Sequence, residues 1–325
     1  MLSVMGYPRY LLVPPDSPGI YHCVSRCVRR AFLCGADPVT GRSYEHRKQW
    51  LEDRILELAQ HFAVAVHSYA VMSNHFHVVV EIDPDAPRHW SDEEIARRWL
   101  SLSTSSRTAG EPFEVRVAAL LDQPERLAVL RKRLGSLSWY MRYLKEPVAR
   151  RANAEDDCTG RFWEGRFRTQ SLLDDPAVLA CMVYVDLNPL RAGTANSIEQ
   201  SKHTSAHRRL RARLPASALL SPVSSSIESH IATMSTAEYV TLMKWTARSF
   251  GDGKPKGSYS NAPPILERLN VRPEQWLIQV RATESRYWRA IGCVESLLDR
   301  ARALGLCWLR GIGTARALER EPHPV

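Results

Sequence analysis

The stretch Val71-Met-Ser-Asn74-His75-Phe76-His77-Val78-Val79-Val80-Glu81 decides how this chain is read. Val78, Val79 and Val80 are β-branched and apolar, the composition of a buried strand. Successive side chains of a strand point to opposite faces, so His75 and His77 share one. Two imidazoles placed this way are close enough to share a cation, and neutral imidazole is the commonest protein ligand for metals. One carboxylate, amide or hydroxyl from elsewhere would complete a site with open positions. Taken alone, the pair reads equally as two satisfied polar residues on a half-exposed face.

A second stretch lies about a hundred residues on: Met182-Val-Tyr184-Val-Asp-Leu-Asn188-Pro189-Leu-Arg191-Ala-Gly193. Before it, Asp174 or Asp175 can cap a helix that Pro176 opens. The helix must end near Asn188, because Pro189 disfavours helical geometry in the residue before it. Tyr184 and Asn188 are four apart and share a face of such a helix. A phenol and an amide displayed one turn apart, beside two histidines and a divalent metal, would make a phosphodiester-cleaving site. In it Tyr184 is the nucleophile and Asn188 a third ligand. The competing reading packs Tyr184 in the core and leaves Asn188 as the helix C-cap.

Three motifs together resemble a known family. His75-Phe76-His77 on a strand comes first, then Gly160-Arg-Phe-Trp-Glu-Gly-Arg-Phe-Arg168, then Tyr184 to Gly193. In this order they resemble the single-tyrosine HUH transposases, and within these the REP-associated tyrosine transposases. The resemblance spans roughly residues 19 to 207. It implies a ferredoxin-like antiparallel sheet with helices, single-stranded DNA carrying hairpins as substrate, Mg2+ or Mn2+ as cofactor, and a covalent 5′-phosphotyrosine intermediate. It carries the metal-binding role to His75 and His77, the nucleophile role to Tyr184, and a further ligand role to Asn188. Relatives include monomers and dimers, so neither is preferred.

Composition is compatible with this and does not require it. The 325 residues suffice for one large or two modest domains. A net charge of +9 suits a polyanionic partner. No run of about 18 apolar residues offers a membrane span, and the first residues lack the pattern of a signal peptide. A cytoplasmic protein is expected. Seven scattered cysteines, with no paired Cys-x-x-Cys sets, read as free thiols.

In chain order, Gly19–Arg26 alternates as a first strand and Tyr44–Phe62 has the spacing of an amphipathic helix. Ala63–Val71 and Asn74–Ile82 follow as strands, giving β-α-β-β, the first part of a ferredoxin-like unit. Residues 84–134 form a helical insert, in which Ser91 and Glu94 suggest a capping box and Pro124 a break. Ser136–Asn153 reads as a helix that Pro147 kinks. Arg161–Leu173 is expected as the fourth strand.

That strand interleaves Arg161, Trp163, Arg166 and Arg168, charge for a backbone and a π-face for bases. Aromatics turned inward under solvated arginines would look the same. Arg26, Arg30 and Arg191 join the expected DNA contacts. Lys202, Arg208 and Arg209, in a basic acid-free run, would contact phosphates; a solvated helix face is the alternative. The division expected is a catalytic domain over 1–214, a Ser/Pro/Ala linker over 215–226, and a mostly helical region over 227–325 that helps recognise a DNA hairpin. Two further functions compete with strand transfer: a domesticated DNA- or RNA-hairpin binder, and a metal-dependent hydrolase that uses water.

Overall fold

The computed structural model describes residues 12–28, 34–35, 41–102, 110–212, 214–215, 217–229, 231, 234–251, 261–283 and 289–319. These build an α+β architecture on one mixed six-stranded sheet. The strands are β1 (Gly19–Arg26), β2 (Val64–Val71), β3 (His75–Ile82), β4 (Arg168–Leu172), β5 (Ser224–Ser225) and β6 (Ala290–Ile291). Their spatial order is β5-β2-β3-β1-β4-β6. All neighbours are antiparallel except β6, which runs parallel to β4.

Alternation sorts the strand residues between two apolar clusters. Tyr21, Cys23, Phe76, Val78, Val80 and Ile82 point to one side, with Val64, Val66, Tyr69 and Val71. Between Val66 and Ser68 the register of β2 on β3 shifts by one residue. This bulge absorbs His67, so that odd rather than even positions face the cluster beyond it.

Two helices cover that face, α1 (His46–His61) and α5 (Leu137–Glu155). Leu51, Ile55 and Leu58 recur at helical spacing and are wholly buried. At the far ends, the buried Arg47 guanidinium of α1 binds the carboxylates of Glu155 and Asp156. α5 runs through Pro147 without ending. A proline has no N–H for the carbonyl four residues back; here Arg54 Nε of α1 donates to the Tyr143 carbonyl instead, at 3.3 Å. The insert supplies α2 (Asp92–Leu102), α3 (Phe113–Leu121) and α4 (Pro124–Leu134), broken ahead of Pro124 as expected. The Glu94 amide donates to Ser91 Oγ at 3.1 Å. Ile95, Trp99, Leu127 and Leu130 extend the same core.

The opposite face carries α6 (Asp175–Asp186). Asp174 caps it, accepting from the Ala177 amide at 2.9 Å, and Pro176 sits in its first turn. Every residue from Ala177 to Asp186 is buried. A helix apolar all round must be covered on all sides. The sheet covers one side. The other is packed in a cluster with α9 (Thr236–Gly251) and α11 (Pro273–Ala282), the four-residue α10 (Ile265–Arg268) lying between them. A short turn α7 (Asn188–Arg191) follows α6 directly, and α8 (Ser205–Arg211) packs on β2. Asp186 ties these parts together. Its carboxylate accepts from Ser205 Oγ of α8, from the Ala206 amide at 2.9 Å and from the Tyr239 hydroxyl of α9 at 2.7 Å. α12 (Val294–Ala303) and α13 (Ile312–Glu319) form a small satellite core with Ala290.

Two expectations change. The fourth strand begins at Arg168, not Arg161. Phe162 and Trp163 are adjacent, yet both are buried in the same cluster; a regular strand would send them to opposite faces. The region over 227–325, expected to be mostly helical, also adds a strand to the sheet: Ala290–Ile291 pairs with β4, just ahead of the helix Val294–Ala303. Residues 284–288 lie outside the described residues. The stretch 215–226 contributes Ser224 and Ser225 to the sheet, paired with Val66 and Ala65. Among the described residues, no helix is long and apolar enough to cross a membrane.

Candidate active site

His75, His77 and Val79 of β3 point toward α6, the face opposite Phe76 and Val78. Register brings two further polar residues to the same face. Gln170 of β4 is the direct partner of His22 on β1, and His77 pairs with Val24, two residues along from His22. Gln170, His22 and His77 therefore line up across three strands. Gln170 Oε1 lies 2.7 Å from His22 Nδ1, and His22 Nε2 lies 2.9 Å from His77 Nδ1. The two imidazole planes differ by 8° at a ring-centre separation of 5.1 Å. That separation nearly equals the N···N distance plus the two ring radii, so the rings lie edge to edge, close to one plane, as an in-line hydrogen bond requires.

Tyr184 of α6 closes over this row. Its ring meets His77 edge-on at 5.7 Å and His22 at 6.0 Å. Asn188, at the start of α7, brings its Nδ2 to 3.2 Å from His77 Nε2. His75 packs edge-on against His77 at 4.8 Å, and its Nδ1 lies 2.5 Å from Asn74 Oδ1. The four residues singled out in the sequence, Tyr184, His75, His77 and Asn188, are thus gathered at one place.

The electrostatics favour neutral rings. Burial holds His77 well below the usual histidine range, with His22 and His75 adding to the effect. Burial, then the charge of Arg26, lowers His75 to about 4. His22 is also lowered to about 4, chiefly by burial. The Asn74 oxygen can only accept, so His75 Nδ1 donates to it and Nε2 keeps its lone pair. Two neutral imidazoles and one amide form the donor set. Among the described residues, no group of three His, Cys, Asp or Glu side chains is placed to hold a metal. By its chemistry the set suits a divalent cation that takes mixed nitrogen and oxygen ligands and keeps positions open for substrate oxygens, once the Asn188 amide turns its oxygen rather than its Nδ2 toward the site.

The expected DNA contacts divide. Arg26 and Arg168 are exposed at the strand ends beside the histidines. Arg191 places its guanidinium 5.1 Å from the Tyr184 ring centre. Arg161, Arg166, Lys202 and Arg208 are exposed. Two residues are not where a contact surface needs them. Trp163 is only 7% exposed, packed on Phe76 and Phe162, and its indole N–H donates to the Lys145 carbonyl at 2.9 Å. Arg209 is buried and donates to the carbonyls of His67 and Ser221 at 2.7 and 3.0 Å. Both are held by interior backbone acceptors, which removes them from the surface. Arg30 lies outside the described residues.

The sequence reading missed His22, Gln170, Phe250 and Arg281. Arg191 also lies over the Phe250 ring of α9 at 5.4 Å, and Arg281 of α11 lies over the same ring at 5.0 Å. The C-terminal helices therefore reach the edge of the site. Alternation along Gly19–Arg26 was visible, but only the pairing of β1 with β3 shows that His22 meets His77.

No protein-family model and no curated protein matches the chain. Among solved structures, one described as a REP-associated tyrosine transposase bound to a REP hairpin aligns with 66% of this chain and 92% of its own. The TM-score is 0.36 and the identity 10%. The site is therefore read from its own geometry.

Proposed function

We propose that the chain is a single-stranded DNA endonuclease and strand transferase that works through a covalent 5′-phosphotyrosine at Tyr184. The observation that carries this is the convergence of Tyr184, Asn188 and Arg191 with His75 and His77, from stretches a hundred residues apart, around His77. The reading also draws on the three-motif resemblance and on strand order. The order β2-β3-β1-β4, with α1 after β1 and α5 before β4, supports reading this part of the α+β sheet as a ferredoxin-like unit.

In this mechanism the Tyr184 hydroxyl oxygen attacks phosphorus. The Tyr–O–P bond forms, the bond from phosphorus to the 3′ oxygen breaks, and the strand leaves as a 3′-hydroxyl. The phenolic proton is released and one proton is taken up by the leaving oxygen, so protons balance. A 3′-hydroxyl later attacks the phosphotyrosine and restores the phosphodiester. Bond energy is conserved in the linkage, so no nucleotide hydrolysis is needed. His75, His77 and Asn188 would hold Mg2+ or Mn2+, which supplies charge neutralisation at the scissile phosphate. Arg191, whose guanidinium lies beside the Tyr184 ring, holds a phosphate oxygen of the scissile group. Arg26 and Arg168 bind flanking phosphates. Phe250 and Arg281 support assigning the hairpin to the C-terminal helices.

The test is a denaturing gel with 5′- and 3′-labelled hairpin-flanked single strands and Mg2+ or Mn2+. A protein–DNA adduct that survives denaturation and disappears in Tyr184→Phe is expected. Hairpin binding with no adduct would favour a binding protein without strand transfer. Cleavage that persists in Tyr184→Phe would favour hydrolysis by water.

A further inference from the structure

Metal-binding histidines act through one nitrogen, and the proton on the other decides which nitrogen is available. In a row of hydrogen-bonded imidazoles that choice is set at the ends. Here both ends carry an amide, and the two amides impose the same direction. Gln170 presents its oxygen, which can only accept, to His22 Nδ1. His22 Nδ1 must then carry the proton, and its Nε2 is an acceptor. His77 Nδ1, 2.9 Å away, donates to it. His77 Nε2 is left with a bare lone pair, and Asn188 meets that nitrogen with its amide donor. The row is buried throughout. Gln170, His22 and His77 are 8%, 2% and 4% exposed, so water does not compete for the protons. The backbone register of three strands fixes the spacing.

We infer that His22 and Gln170 are positioning residues: they lock His77 in the tautomer that points an unprotonated Nε2 into the site, and so set its strength as a cation ligand. The tautomer half stands on the hydrogen bonds alone. The cation half rests on the metal-dependent reading of the site proposed above. Neither residue touches the reacting atoms in this arrangement. Gln170 acts at a distance of two rings, through the direction of two hydrogen bonds.

The experiment uses the full-length chain, 15N-labelled at histidine and treated with chelator. Long-range 1H–15N correlation reads each tautomer, and His22→Gln and His77→Gln spectra assign the signals. The expected result is that His22 and His77 are both neutral with the proton on Nδ1. In Gln170→Leu, which removes the terminal acceptor, the His77 signals should move toward the Nε2–H form. Gln170→Glu, which keeps an acceptor there, should restore the Nδ1–H form.

Mn2+ titration of the same proteins gives the second readout. Gln170→Leu should weaken binding by about 10–100-fold, the usual effect of losing a partner behind a ligand, and Gln170→Glu should recover most of it. An Nε2–H tautomer of His77 in the unsubstituted protein overturns the inference, even if Gln170→Leu does not fold. Unchanged Mn2+ affinity in a folded Gln170→Leu overturns its cation half. If His77→Gln binds Mn2+ as well as the unsubstituted protein does, the metal-dependent reading of the site fails, and the tautomer spectra still judge the row.

Discussion

The two faces of the sheet are made by the same strands and are built on different terms. Toward α1 and α5 the strands bury apolar side chains and tyrosines, from Cys23 and Phe76 to Tyr21 and Tyr69. Toward α6 they bury His22, His77, Gln170 and Ser68, with Asp186 and Arg209 from the helices. The first face is held by area removed from water, about 25 cal/mol per Å2. The second has to find partners for the polar groups it buries, because an unsatisfied one costs about 1–3 kcal/mol; among the described residues it does so with few exceptions, Arg209 Nη1 being one. One face is foundation and the other carries the candidate site. A change on each should therefore fail in a different way.

The largest separation expected is between Tyr184→Phe and a core truncation. Tyr184→Phe should abolish the denaturation-resistant adduct, a loss of at least about 10³-fold for a removed nucleophile. The same change should alter stability by about 1 kcal/mol or less. Leu144→Ala, on the opposite face, should cost about 2–5 kcal/mol in urea unfolding and leave adduct yield per folded molecule unchanged. If Leu144→Ala lost adduct in proportion to nothing but its own fold, the contrast stands; if it abolished adduct while folded, the faces are not separable.

Asp186→Ala tests the polar face for stability. It strips the acceptor from Ser205, Tyr239 and the Ala206 amide, and should destabilise by about 1–3 kcal/mol. A smaller effect than that of an exposed ion-pair deletion would argue that Asp186 does not join α6 to α8 and α9. Arg208 and Arg209 are neighbours with opposite fates. Arg208→Gln should lower the salt dependence of DNA binding by about one unit of slope at unchanged stability. Arg209→Gln should lower stability, because the carbonyls of His67 and Ser221 lose their donor.

The smallest effect expected is one of pH. Burial lowers the His67 pKa below its ordinary 6.5, against the opposing pull of Glu81. The unfolded chain therefore binds a proton near 6.5 that the folded chain resists. Stability is retained above that value and lost as pH falls below it, with a slope of at most about 1.4 kcal/mol per pH unit for this group. Urea unfolding at pH 7.5, 6.0 and 5.0 should show a shallower fall in His67→Gln than in the unsubstituted chain. Equal slopes would place the acid sensitivity elsewhere.

What the sequence disclosed, and what it withheld, follows the range of the interactions involved. Strand parity at His75 and His77, the Asp174 cap, the Ser91 cap and the break at Pro124 are local, and each was legible. The arrangement of Trp163 and Arg209 was not. A basic, aromatic stretch has the same composition whether its aromatics face DNA or the core, and only the packing partners of Phe162 and Trp163 decide between them. His22 and Gln170 were hidden for a related reason. Their roles arise from register between strands separated by 148 positions in the chain, which no window on the sequence contains.

The all-round burial of α6 also has a consequence for synthesis. The helix bearing Tyr184 ends at Asp186, while α11, which helps to cover its outer side, ends at Ala282. At roughly 5–20 residues per second, a ribosome needs on the order of ten seconds to supply that cover. During this interval the nascent chain carries an apolar helix with its outer side uncovered, an invitation to chaperones and to self-association. The same delay orders assembly, since Arg191 cannot meet Phe250 until α9 has emerged, and the edge of the candidate site is finished only after most of the protein has been translated.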